Sequence, residues 1–208
     1  MKIKKKGLFL TFEGSECSGK STQIKNLKNF LNKNNVKFII TREPGGTILS
    51  EILRKIILDK KNIITPKEEL LLLMAARYNH INNIIIPAMN EGKLVISDRF
   101  ADSTFVYQGF VNNYGLKKTI DLHKELLNNF LPSKTFLFLL PISEIIKRLK
   151  KRKITNKYDK IDTLFHSKVI SGYKKLSNNN KRFVKINAAT NLDKIHETVL
   201  KSIKKLLK

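Results

Sequence analysis

Residues 12–22 read FEGSECSGKST, and Gly14, Gly19, Lys20 and Ser21 within them complete the pattern G-x-x-x-x-G-K-[ST]. The backbone N–H groups of such a loop converge on a concave positive site. With the N-terminus of the helix that follows, they cradle phosphate oxygens. Lys20 is placed to reach the β and γ phosphates of a nucleotide, and the Ser21 hydroxyl to ligate Mg²⁺. The run Gly14, Ser15, Glu16, Cys17, Ser18, Gly19, Lys20, Ser21 and Thr22 is therefore the expected nucleotide-binding stretch. Glu16 is its odd member. A carboxylate beside a bound triphosphate repels it, so Glu16 is expected to face a sugar hydroxyl or hydrated Mg²⁺ instead.

Two further segments carry groups suited to anions. TREPGGT, residues 41–47, supplies Arg42 and Glu43 followed by a Pro44-Gly45-Gly46 turn. DRFADSTFVYQG, residues 98–109, opens with Asp98, placed like the carboxylate that organises Mg²⁺ in phosphate-loop enzymes, and with Arg99. Arg77 closes the apolar run LLLLMAAR. Arginines gathered near one phosphate loop suit a clamp for a second anion.

These groups need a scaffold, and the hydrophobic periodicity supplies one. Short β-leaning runs at GLFLTFEG, VKFIITR, KLVISDR, TFLFLL and RFVKIN alternate with helical spacing at KSTQIKNLKNFLNKN, at LSEILRKIILDK and over residues 66–92. Alternation of this kind predicts βαβ units: an α/β fold with a five-stranded, mainly parallel sheet and helices on both faces. Three of the segments above then fall at carboxyl ends of strands, where open α/β sheets bind ligands. Residues 150–162, polar and highly charged, interrupt the pattern and are expected to form a short lid over the phosphates.

The 208 residues suit one domain, and 41% hydrophobic with 28% charged residues is a globular balance. No apolar run approaches a membrane span, and the N-terminus lacks the features of a signal peptide. The single Cys17 excludes an internal disulfide, fits a reducing cytoplasm and reads as a packing substitute. A net charge of +24 invites a nucleic-acid reading, yet 34 of the 41 cations are lysines scattered over every expected helix. With 20 asparagines beside them, they read as A/T-rich coding drift, and nucleic acid is not the expected partner. His80, His123, His166 and His196 lack metal-ligand spacing and are expected at the surface or packed between helices.

FEGSECSGKST, TREPGGT and DRFADSTFVYQG, in that order and spacing, closely resemble the bacterial thymidylate kinases, phosphate-loop enzymes that pass a phosphoryl group from ATP to dTMP. The resemblance runs from about Phe9 to Leu207. It implies that Arg42, Arg54 and Arg99 hold the acceptor's 5′-phosphate, with Glu43, Pro44 and Ser103 in the same substrate site. Arg77, Thr104 and Gln108 would meet the thymine edge, Tyr107 would pack beside the deoxyribose, and Asp98 with Ser21 would organise Mg²⁺. Lys20, Arg99, Glu16 and Asp98 would be catalytic, joined by Arg152 and Lys157 from the lid. The adenine would lean on residues 187–190. The resemblance also implies a homodimer.

Several positions depart from the family pattern. Leu73 stands where a phenylalanine stacks on thymine, which should cost about 0.5–1.5 kcal/mol of stacking and loosen the base preference. Lys157 and Asp159 replace the usual lid arginine motif, with Arg148 or Arg152 available to substitute, and Leu140 replaces an aspartate. Two alternatives remain at this level. One is a kinase for another pyrimidine nucleotide or nucleoside, and the other a nucleic-acid-stimulated ATPase.

Overall fold

The computed structural model describes residues 7–151, 158 and 162–207. Five strands form one sheet: β1 (Phe9–Gly14), β2 (Phe38–Arg42), β3 (Leu94–Asp98), β4 (Lys134–Leu139) and β5 (Phe183–Asn187). Their order is β2-β3-β1-β4-β5, and every pairing is parallel. The expected "mainly parallel" sheet is thus wholly parallel among the described residues.

A parallel sheet is covered on both faces, so its central strand should be apolar throughout, and all six residues of β1 are buried. Successive side chains leave on opposite faces. Leu10 and Phe12 of β1, with Phe136 and Phe138 of β4, meet Ile24, Leu27 and Leu31 of α1 (Lys20–Lys33). The same core takes Ile145 and Leu149 of α7 (Ile142–Lys150) and Ile195, Val199 and Ile203 of α9 (Leu192–Leu207). On the other face Phe9 and Val95 pack against Leu70 and Met74 of α3 (Pro66–His80) and Leu127 of α6 (Leu116–Leu127). Leu137 joins Val169 and Tyr173 of α8 (Thr163–Ser177).

The long helix expected over residues 66–92 is interrupted. α3 begins with a capping box between Thr65 and Glu68, with Pro66 in its first turn. It runs into a π-helical turn at Ile81–Ile85 before α4 (Ile86–Asn90). Pro87 explains the break: it has no N–H, and its ring clashes with the carbonyl four residues back, so the helix widens there.

Residues after β3 also become helical, as α5 (Ala101–Thr104) and a π-helical turn at Phe105–Val111. The periodicity did not single out that segment. It hangs Ser103, Thr104, Tyr107 and Gln108 over the carboxyl end of the sheet. α2 (Ile48–Leu58) follows the TREPGGT turn and carries Arg54. Among the described residues no helix is long and apolar enough to cross a membrane.

Candidate active site

β1 ends at Gly14, where a side chain is sterically barred: a Cβ would sit 2.3 Å from the Phe138 carbonyl oxygen. The chain then curls through Cys17 (φ 56°) and Gly19 (φ 89°) into the first turn of α1. Positive φ at both positions turns successive N–H groups to one side, which is the geometry of an anion nest. Lys20 folds over the loop, its Nζ donating to the carbonyls of Gly14 and Ser15 and to Ser18 Oγ at 2.7–3.3 Å. Burial, then the nearby Arg99, lowers its pKa to about 8. Arg148 braces the loop from α7, donating to the Cys17 carbonyl at 3.0 Å.

Ser21 Oγ donates to Asp98 Oδ2 at 2.9 Å. A hydroxyl and a carboxylate oxygen beside a phosphate nest form an all-oxygen donor pair, the kind Mg²⁺ takes alongside phosphates and water. No group of three His, Cys, Asp or Glu able to hold a metal occurs among the described residues.

A cavity of about 500 Å³ runs from this loop across the strand ends. Every substrate-binding residue expected from the sequence lines it, as do Glu16 to Thr22 of the loop and Asp98. Gly14 and Ser15 form the loop's base, with Ser15 buried. Arg42, Arg54 and Arg99 line the cavity. Arg42 pairs with Glu51 at 2.9 Å, and Arg54 donates to the Pro44 carbonyl at 2.7 Å. Burial first, then Arg42, lowers the Arg54 pKa, the signature of cations crowded together. Arg99 adopts φ 70°, which swings its guanidinium off β3 to Glu16 at 2.8 Å and Ser103 Oγ at 3.0 Å, over the Tyr107 ring.

Glu16 is largely buried. Both its oxygens accept from the Tyr107 hydroxyl at 2.9 Å, and Arg99 takes one of them as well. A carboxylate inside a phosphate loop is thus tolerated because a guanidinium neutralises it and a phenol orients it.

At the far end Arg77 is 2% exposed and held on three sides. Its Nε donates to Glu43 Oε2 at 2.7 Å, its Nη2 to Thr104 Oγ1 at 2.7 Å, and it lies over the Phe100 ring. Glu43 also meets His80 Nδ1 at 2.9 Å, and His80 Nε2 meets Thr41 Oγ1 at 2.7 Å. Burial would raise the Glu43 pKa, but Arg77 and His80 together hold it below the ordinary 4.5. Glu43 is thus tied to Arg77 and His80 at once. Gly46 is needed here, since a Cβ would lie 2.6 Å from His80 Nε2. Leu73 is buried at the cavity wall.

Of the histidines expected at the surface or packed between helices, His80, His123 and His166 are fully buried. His80 belongs to the site's ion network, a role that histidine spacing could not show. Sequence reasoning also missed Glu13. It accepts from the N–H groups of Phe100 and Ser103 and from the hydroxyls of Ser103 and Tyr173, so it pins the start of α5. Its one signal was a lone acid closing an apolar strand. Glu69 was likewise overlooked inside a helix. Arg152, Lys157 and Asp159 lie outside the described residues, and Tyr158 of the expected lid segment lines the cavity.

The family model for thymidylate kinase matches residues 12–199. That span takes in the phosphate loop, the arginine clamp and the Arg77 pocket. The chain belongs to the thymidylate kinase family. Relatives agree over nearly full length. A thymidylate kinase of Rickettsia africae (strain ESF-5) is 40% identical over 96% of this chain and 98% of its own. One from Rickettsia canadensis (strain McKiel) is 41% identical over 95% and 97%, and one from Thermoanaerobacter sp. (strain X514) 39% over 97% and 100%. The family's phosphate-loop kinase fold matches the parallel sheet and flanking helices described above.

Proposed function

We propose that this chain acts as one kinase domain that transfers the γ-phosphoryl group of ATP to dTMP, giving dTDP and ADP. The observation that carries this reading is the single cavity joining the phosphate loop to the Arg42–Arg54–Arg99 cluster and to the Arg77 pocket. A water-directed ATPase has no use for a second anion clamp with a polar base pocket behind it.

Phosphoryl transfer asks the protein to align two phosphates and to neutralise charge spread over the equatorial oxygens. Lys20 and the loop N–H groups hold the donor, while Arg42 and Arg54 hold the acceptor phosphate. Arg99, between them, stays engaged as charge moves. Glu16, fixed by Arg99 and Tyr107, faces the sugar. Ser21 and Asp98 would hold Mg²⁺, which when bound supplies further positive charge on the phosphates. Closure of residues 150–162, with Arg152 and Lys157, would exclude water.

Leu73 favours a second acceptor reading. A leucine covers the base by burial alone, so dUMP and related pyrimidine nucleotides would be separated from dTMP less sharply than by a stacked ring. The test is coupled ADP release from Mg·ATP across dTMP, dUMP, dCMP, dGMP, UMP and no acceptor. Turnover dependent on dTMP is expected. Release without acceptor, raised by DNA, would sink the kinase assignment.

The expected homodimer gains support from α2, whose Ile48, Leu49, Ile52 and Ile56 are all exposed, Ile48 to 86%. A stripe of that kind suits a self-complementary interface. Sedimentation should give twice the chain mass, falling to one with Ile52→Glu. The expected site of action is the cytoplasm.

A further inference from the structure

Gln108 is buried and lines the cavity. Its Nε2 donates to Glu69 Oε1 at 2.5 Å and to the Tyr158 hydroxyl at 3.3 Å. That hydroxyl in turn donates to the same Glu69 oxygen. An amide nitrogen carries two hydrogens, so both are engaged. An isolated side-chain amide can be turned end for end, but a carboxylate only accepts, and Glu69 thereby decides which end faces it. Gln108 Oε1 has no hydrogen-bond partner among the described residues and is not sealed from solvent. The amide therefore offers an acceptor to the cavity.

Arg77 offers the opposite polarity to the same cavity. Glu43 takes its Nε and Thr104 its Nη2, while Nη1 meets only the weak acceptor Met74 Sδ at 3.9 Å. Arg77 and Gln108 are thus each oriented by a buried carboxylate, Glu43 and Glu69 respectively. A donor and an acceptor so held match a base edge with a keto oxygen next to a ring N–H. They mismatch an edge with an amino group next to a bare ring nitrogen, which would bury donor against donor and acceptor against acceptor.

The geometry points to Glu69 as a specificity-determining positioning residue. By holding Gln108 with its oxygen toward the acceptor, it selects keto-pyrimidine nucleoside monophosphates over amino-pyrimidine ones. The inference rests on the acceptor-site reading of the cavity and deepens it. Glu69 touches no substrate in this scheme. It acts through Gln108, and Tyr158 completes the hold. A site whose buried groups pair with only one polarity rejects the other strongly, because the groups are left unpaired.

The experiment is kcat/KM for dTMP, dUMP and dCMP with the full chain and with Glu69→Gln. The substitution keeps the shape but lets its amide present either end, so Gln108 is free to turn. The dTMP:dCMP ratio should fall about tenfold or more, while dTMP:dUMP holds, since those bases share the edge. An unchanged dTMP:dCMP ratio would overturn the inference, as would equal loosening toward all acceptors. Should Glu69→Gln fail to fold, Tyr158→Phe removes one of the two amide partners. It should shift the same ratio in the same direction by about two- to threefold, and no shift would again overturn it. Wild-type enzyme that uses dCMP as well as dTMP would also overturn it while leaving the kinase intact. Absence of any nucleotide acceptor would instead end the acceptor reading itself.

Discussion

Glu43→Gln is the most demanding test of how the base pocket is built. Glu43 and Arg77 are 6% and 2% exposed, and the carboxylate accepts from both Arg77 and His80. Removing one charge of a buried pair leaves the other uncompensated, at a cost of about 3–5 kcal/mol. Glutamine keeps the volume and one acceptor oxygen, but its amide hydrogens must face Arg77 or His80, both of which need acceptors. The lower end, about 3 kcal/mol, is therefore expected. For a chain of this size that lowers Tm by about 6–12 °C. Because Arg77 would lose its anchor, KM for dTMP should rise more than kcat falls. The pH dependence supplies an internal check. Glu43 has a depressed pKa, so its contribution is present above the ordinary 4.5 and lost as pH falls through the folded value. Below that point the wild type is neutralised too, and the gap between the two melting curves should close. Thermal melts at pH 7.5 and in steps downward from pH 4.5, with acceptor titrations, measure all of this. A variant melting within about 2 °C of wild type at pH 7.5 would refute the buried-pair reasoning.

Two other outcomes concern the separate network of Arg99, Ser103 and Glu13. Arg99→Ala should lower kcat about a thousandfold or more while leaving a folded chain by circular dichroism, since an arginine on the transferred group carries that order of effect; near-normal turnover would remove Arg99 from the transfer. Glu13 is raised to about 7 by burial and by Asp102, against Arg99 and the Ser103 and Phe100 hydrogen bonds. A raised acid contributes stability that is fully present below 4.5 and lost as pH rises through about 7. Urea unfolding of wild type relative to Glu13→Gln should therefore weaken by about 3 kcal/mol across that window, and the opposite slope would show that its four donors prevail over burial.

Much of this protein was legible in its sequence because its chemistry is local. The phosphate loop is a contiguous run whose glycines, lysine and hydroxyl state their roles by spacing alone. The strands could be read because a central parallel strand is apolar along its whole length, and β1 is. Arg42, Arg77 and Arg99 stood out because cations at strand ends or at the close of an apolar helix have few structural reasons to be there. The π-helical turn at Ile81–Ile85 was less legible, since periodicity measures amphipathicity, and Pro87 alone warned of a break.

Tertiary structure decided which polar groups hold which. Glu13, Glu69 and His80 looked unexceptional in the chain, and Glu43 stood out only as part of a turn segment, with nothing to name its partners. Their partners lie 34 to 160 residues away: Arg77 for Glu43, Gln108 for Glu69, Tyr173 for Glu13. A buried charge is stable only if the fold brings it a counter-group, and nothing local in the sequence names that group. The sequence thus determined the phosphate-loop motif and the arginines placed near it. The packing of α3, α5 and the sheet decided how the arginines and Gln108 are aimed, because hydrogen-bond direction is set by partners distant in the chain.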